Sequence, residues 1–505
     1  MMQFGFSASP GRGASFSLRR ASARLKPTLI LLIIPALLSA ADAKKEKARL
    51  PAELEQVFGL AMAAPPEFAA DALLRIAGRT EDRDLRRDLI DLAFHAAAGA
   101  HNPFALETLP GAEADTVSQS VAAASRLGLD KLTLQTRAVR DLLPIDQERA
   151  RQLFGELQKP AIPVAGCETA LLPNVTPYYE TLGDIIKSGF SKELIAKSEH
   201  VSYLVSALSR VSSVRELASA ARLVAALDWP KNTFEIAFGA FTSRLSAMPT
   251  DSRTFMASAN GIDEAIAQLT ARARKMGVNT QGLVGAYRGF LVMEFKAARC
   301  ADSIMPTGRM VDGEQRREIF AEDIRGDVAP LSFEEKTVES SDGYVAVERF
   351  WQSEPAQKVF QEATKLRQGP NGTNYTEAER RSREWTRQFS DVLNAVAGWK
   401  VSDESSEALY FHQKATVYEA LLELTPSGDS MDRLTASFLG FMKGSNLQQT
   451  HPVEWFWHAR AAFDRVRADR PDQAARIAAA YRESGILILV LEAALDAAAP
   501  RSAFR

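Results

Sequence analysis

Apolar residues recur at helical spacing along almost the whole chain, and this periodicity limits the fold more than any other feature. In residues 82–100, for example, Leu85, Leu89, Leu92 and Ala96 share one helix face. Outside residues 343–347, no alternation of period two persists beyond about five residues. A sheet-based fold is therefore disfavoured, and the sequence predicts an all-α protein.

The predicted helices come in pairs of similar length. In the first part of the chain, helix starts fall near residues 51, 66, 82, 114, 130 and 146, spaced by about 16 residues with one longer gap. A repeated helical hairpin of about 32 residues over 51–158 resembles an α-solenoid of the tetratricopeptide type. The consensus aromatic and glycine positions of that family are missing, so the resemblance implies only a helical-hairpin (α-solenoid-like) array.

Composition changes divide the predicted array into blocks. An N-terminal helical-repeat block over 44–158 is followed by a second helical block over 159–303, which a proline-rich connector at 159–177 enters. Scattered glycine, proline and charge predict an irregular linker or functional loop at 304–346, and a C-terminal helical block follows at 347–505. The helix predicted at 280–303 is apolar on nearly all sides, so it should be the most buried helix of its block.

The first 43 residues have the layout of a cleaved secretory signal peptide. Basic residues precede the apolar run TLILLIIPALLSA (28–40), and ADA (41–43) follows as a cleavage pattern. The run is shorter than the roughly 20 residues that a membrane span needs, which argues against an uncleaved anchor. We therefore expect cleavage after Ala43 and a soluble mature protein in the periplasm or outside the cell, with no stable membrane span.

The chain has only two cysteines, Cys167 and Cys300. In an oxidising compartment, a lone pair of cysteines forms a disulfide by default. Two free thiols are the main alternative. A nucleophilic Cys167 is disfavoured because no histidine lies nearby in sequence to act as its base. The sequence therefore predicts a Cys167–Cys300 disulfide that fastens the connector to the end of the second block.

No metal or cofactor site is predicted. The chain has six histidines, none of them in a zinc-binding motif: His95, His101, His200, His412, His451 and His458. We interpret them as surface or helix-capping residues. Nucleophile and phosphate-binding motifs are also missing, so we predict no catalytic residue and no cofactor.

Two features leave an enzyme open. The Glu-Ser pair at Glu339 is similar to that of exported helical-solenoid lytic transglycosylases, although the surrounding motif of that family is missing. In the aromatic stretch 454–463, Trp455 and Trp457 are candidate ligand contacts. Two residues apart on a helix, they cannot share a face, so one should be core and the other more exposed.

The formal net charge of −2 argues against nucleic-acid binding. Stacked hairpins form an extended groove, so we expect a binding or scaffold protein of the cell envelope or periplasm with a protein or peptide partner. The alternatives are an envelope or secreted hydrolase of cell-wall material or polysaccharide, with its site in 304–346 or near 452–469, and a purely structural envelope component. A pocket lined by two carboxylates with perturbed pKa values would favour the hydrolase.

Overall fold

A computed structural model describes residues 50–109, 116–157, 162–167, 169–297, 299–300, 337–338, 354–369, 372–401, 406–467 and 470–497. The helices up to residue 297 are α1 (Ala52–Ala63), α2 (Pro66–Ala77), α3 (Arg83–Ala97), α4 (Thr116–Ser125), α5 (Lys131–Leu142), α6 (Gln147–Glu156), α7 (Thr176–Ser188), α8 (Lys192–Ala196), α9 (Glu199–Ser209), α10 (Leu217–Ala226), α11 (Lys231–Ser246), α12 (Ser252–Lys275) and α13 (Gln281–Lys296). The later helices are α14 (Glu354–Arg367), α15 (Arg383–Gly398), α16 (Glu407–Leu424), α17 (Asp429–Gly444), α18 (Leu447–Thr450), α19 (Pro452–Arg467), α20 (Pro471–Glu483) and α21 (Leu487–Ala497). The predicted all-α class is confirmed.

Aspartates at the predicted helix starts act as N-caps. The side chains of Asp82, Asp130 and Asp146 each accept a hydrogen bond from the backbone N–H three residues later. These bonds satisfy donors that the first helical turn leaves free, which is why the boundaries could be predicted from sequence.

Alternate helices stack on one another. Helices α3, α5, α7, α10 and α12 each contact the next in this series, and α9, α11 and α13 do the same in a second series. Apart from the step from α7 to α10, which also passes the short α8, these contacts join every second helix, the packing expected of a helical-hairpin array.

The helices near the C-terminus return to the start of the array. Helix α21 packs against α1 and α2, and α4 packs against both α16 and α19. Arg75 on α2 pairs with Glu492 and Asp496 on α21. Buried apolar side chains from Leu54 to Leu495 form one connected core, and the described residues from Leu50 onward form one compact unit.

Short strands add two small sheets to the described residues. Strand β1 (Leu106–Thr108) pairs antiparallel with β2 (Leu171–Pro173), and β3 (Arg299–Cys300) pairs parallel with β4 (Thr337–Val338). Each strand is too short for a sequence periodicity to reveal it. The β1–β2 pair joins the proline-rich connector to the chain segment between α3 and α4.

Three local predictions are wrong. Helical spacing of the apolar residues predicts one helix over 191–211, but these residues form α8 and α9, because Ser198 between them has a left-handed φ of 59°. The same spacing predicts a helix over 262–277, but α12 starts at Ser252, ten residues earlier. Helix α13 is not the most buried helix of its block, because 7 of its 16 residues are buried against 7 of 13 in α7, and Met293 lies exposed on its outer face.

Other predictions lie outside the described residues: the signal peptide at 1–43 and most of the segment 304–346, including Glu339. The block boundaries stay predictions. Within the ranges that the structure describes, none of the helices combines the length and apolarity required to cross a membrane.

Candidate functional site

Cys167 lies in a turn of the connector, between two backbone anchors. Two residues before it, the Ala165 N–H donates to Asp251 Oδ2 at 3.3 Å. Two residues after it, the Thr169 carbonyl accepts from Arg253 Nε and Nη2 at 3.1 and 3.0 Å. Both anchors belong to the start of α12. Among the described residues there is no free cysteine.

The same helix start contacts the end of α13. The Asp251 N–H donates to Glu294 Oε1 at 3.0 Å, and Glu294 is fully buried with Oε2 unpartnered. Burial raises the pKa of Glu294 to about 7, and the Asp251 carboxylate adds to the rise, whereas the backbone hydrogen bond opposes it. One helix start thus contacts the connector around Cys167 and the helix that precedes Cys300.

The two candidate aromatic residues have different surroundings. Trp455 is fully buried and its indole Nε1–H donates to the Met442 carbonyl at 2.9 Å. Trp457 is half-buried and its ring meets the His458 ring edge-to-face, with centroids 4.6 Å apart. The predicted division into one core and one more exposed residue is confirmed. Of the two, only Trp457 has surface to offer a ligand.

A buried chain of hydrogen bonds links α16 to α19, and sequence reasoning missed it. His412 Nδ1 lies 2.8 Å from His458 Nε2, and His458 Nδ1 lies 2.7 Å from Glu419 Oε1. All three side chains are at most 1% exposed. The interpretation of the histidines as surface or capping residues is therefore wrong for His412 and His458. No sequence signal pairs them, because they lie 46 residues apart on different helices.

Charged groups continue this chain to the surface. Arg465 Nε lies 3.2 Å from Glu419 Oε2, and its Nη1 lies 3.7 Å from Glu423, which also accepts from Arg367 at 3.1 Å. A chain of this kind can hold and transfer a proton between neighbouring nitrogens. Its burial keeps the imidazoles away from a substrate in solution.

A groove of about 440 Å³ crosses three stacked helices, α5, α7 and α10. Its floor includes Gly183 and Leu223, where a Cβ on residue 183 would lie 3.0 Å from Leu223 Cδ1. Its walls carry both charge signs. The lining residues are Arg140, Thr176, Tyr179, Glu180, Gly183, Asp184, Lys187, Ser219, Arg222, Leu223 and Ala226.

A larger groove of about 660 Å³ lies at the starts of α3, α6 and α8. Two of its cations are already used by the fold: Arg83 donates to the Ile145 carbonyl and Arg151 to the Gly189 carbonyl. The groove across α5, α7 and α10 is therefore the better candidate for binding.

Carboxyl groups with raised pKa values do not line these two grooves. Burial raises the pKa of Asp130, Asp141, Glu294 and Glu492, which lie elsewhere in the packed structure. In the part of the chain that the structure describes, no three His, Cys, Asp or Glu side chains are placed to hold a metal ion. No protein-family model and no curated protein matches the chain.

Proposed function

We propose that this chain is an exported helical-repeat protein that binds or scaffolds a protein or peptide partner in the cell envelope or periplasm. The observation that carries the proposal is the groove across α5, α7 and α10. It crosses successive members of one helical series, and stacked hairpins commonly bind partners along such surfaces. The tetratricopeptide-like spacing of the first hairpins agrees with this use.

The residues that line the groove favour the binding of a partner over the hydrolysis of a substrate. A glycan hydrolase usually needs two carboxyl groups facing one site, one of them with a raised pKa. Glu180 and Asp184 line the groove, but they lie on the same helix four residues apart, and Glu180 pairs with Arg140 at 3.8 Å. Adjacent charges of both signs suit a polar peptide surface.

Affinity capture from the native envelope fraction tests the proposal. The mature chain should retain a defined partner, and reversing two groove charges with Lys187→Glu and Arg222→Glu should weaken retention at least tenfold. Lys192→Glu with Lys197→Glu makes the same charge change at the first residue of exposed α8 and at the residue after its end, outside this groove, and should retain the partner. Equal retention by both double variants would place binding elsewhere.

A second outcome separates binding from hydrolysis. Release of soluble fragments from cell-wall material or polysaccharide by the purified mature chain, without any captured partner, would overturn the binding proposal. If there is neither partner nor turnover, the purely structural alternative is favoured.

We also propose that export produces a Cys167–Cys300 disulfide. Three observations support it: the chain has no third cysteine, Asp251 contacts both Ala165 and Glu294, and β3, which contains Cys300, contacts α12. The bond would close a loop of 133 residues, and removing such a bond typically costs about 2–4 kcal/mol.

Non-reducing peptide mapping of the exported protein tests this bond. We expect one cross-linked peptide that contains both cysteines, and a matching loss of stability in the Cys167→Ser, Cys300→Ser double variant. Recovery of both cysteines as free thiols would refute the pairing.

A further inference from the structure

The chain of Glu419, His458 and His412 joins two helices that also share a third neighbour. Helices α16 and α19 pack on each other, and α4 packs against both. The His412–His458 hydrogen bond is therefore a direct polar link at a junction of three helices. Aromatic rings enclose it, with the Phe411 ring centroid 5.5 Å from that of His458.

The Glu419 carboxylate determines which ring nitrogen donates in each hydrogen bond of the chain. Ionised Glu419 can only accept, so His458 donates through Nδ1 and its neutral Nε2 has a lone pair. His412 Nδ1 then donates to that lone pair, and the chain is complete with both rings neutral. If each ring carried two protons, the 2.8 Å contact would join two N–H donors and two positive charges.

The charged groups around the chain do not neutralise the positive charge that arises when both imidazoles are protonated. Among the described residues, Glu419 is the only carboxylate bonded to either ring, and Arg465 from α19 already occupies its other oxygen. Glu423 lies between Arg465 and Arg367 of α14, while α20 contributes Tyr481, whose hydroxyl donates to the Ala459 carbonyl. His451 adds another titratable ring before α19, and α4 contributes none within Thr116–Ser125.

We propose that the Glu419–His458–His412 chain is an acid-operated latch, closed while one proton lies between the two imidazoles and opened by protonation of both. Opening separates α16 from α19 and loosens α4, which covers them. The proposal does not depend on the binding function, because it concerns a different part of the molecule from the groove across α5, α7 and α10.

The difference in the pKa of His412 between the closed and opened forms determines that acid opens the latch. Burial lowers the pKa of His412 to about 3, and the neighbouring His458 and His451 add to the lowering. An opened His412 in water titrates near pH 6.5. Protons therefore bind the opened form preferentially below that pH, and one such histidine raises the opened population about 25-fold between pH 7 and pH 5.

Hydrogen exchange of the full mature chain at pH 7 and pH 5 tests the latch. After correction for intrinsic exchange rates, we expect exchange to accelerate about 25-fold in 407–424, 452–467 and 116–125. Helices α10 and α11, outside this junction, are the internal control and should change little. His412→Gln cannot gain a charge, so its exchange in the three segments should lose this dependence on pH.

Unchanged protection of the three segments at pH 5, or an equal loss in all helices, would overturn the latch. A second measurement on the unsubstituted protein covers the case in which His412→Gln does not fold. The imidazole ¹⁵N shifts of His412 and His458 should indicate protonation over the pH range in which protection falls. Rings that stay neutral while protection is lost would equally refute the proposal.

Discussion

At the scale of single residues, buried polar groups set how this protein responds to pH. Glu294 and His412 are both buried, but the pKa of Glu294 is raised to about 7 and that of His412 is lowered to about 3. Each group is therefore held neutral in the fold over the pH range in which it would be charged in the unfolded chain. Between about pH 4.5 and 6.5, a rise in pH lowers the contribution of Glu294 to stability and raises that of His412, so the two pH dependences offset each other.

Glu294→Gln should separate the two effects. Because the folded pKa of Glu294 is raised, its contribution to stability is fully present below about pH 4.5 and is lost as pH rises to about 7. The variant keeps the acceptor for Asp251 N–H but cannot ionise. Relative to the unsubstituted protein, its free energy of unfolding should gain about 1.4 kcal/mol per pH unit across that window.

Urea unfolding at pH 4.5, 5.5 and 7 measures the difference. Glu235→Gln, on the exposed face of α11, is the matched control and should leave the pH dependence unchanged. A parallel pH dependence in Glu294→Gln and the unsubstituted protein would contradict the assigned role of Glu294.

At the scale of elements, caps and local backbone geometry decide where helices begin. The aspartate caps were visible in the sequence because an N-cap is a local interaction. The break before α9 was not, because Ser198 adopts its left-handed conformation against its intrinsic preference and has no side-chain cap hydrogen bond.

Replacing Ser198 with glycine should stabilise the protein. Glycine removes a left-handed strain of about 1–2 kcal/mol, and its greater freedom in the unfolded chain offsets about 0.4–1 kcal/mol, so a net gain near 1 kcal/mol is expected. Thermal and urea unfolding measure it. In contrast, Ser191 accepts a hydrogen bond from Leu194 N–H, so Ser191→Gly should lose a few tenths of a kcal/mol. A loss of stability in Ser198→Gly would show that the hydroxyl has a role of its own.

At the scale of the whole molecule, the last helix is fastened to the first ones. Arg75 Nη1 lies 2.9 Å from Glu492 Oε2, and Nη2 lies 3.2 Å from Asp496 Oδ1. Burial raises the pKa of Glu492 despite the opposing effect of Arg75. The ion pairs of Arg75 therefore join residues more than 400 positions apart in the chain, and no sequence pattern could have connected them.

Arg75→Met should loosen this closure. Glu492 loses its charged partner while it remains mostly buried, which typically costs about 1–3 kcal/mol. We expect a lower free energy of unfolding and faster hydrogen exchange in Leu487–Ala497. Arg381→Met removes an exposed pair with Glu377 and should change stability by less than about 1 kcal/mol. Similar effects of the two substitutions would argue that the Arg75 pairs contribute no more than surface pairs.

The sequence by itself determined the all-α class, most helix positions and the division between Trp455 and Trp457. These follow from apolar periodicity and capping, which act within one or two helical turns and are therefore recorded in neighbouring letters. Only the tertiary structure decided the groove across α5, α7 and α10, the Glu419–His458–His412 chain and the joining of α21 to α2. Each depends on side chains from helices that are distant in sequence, and the packing that brings them together leaves no local pattern.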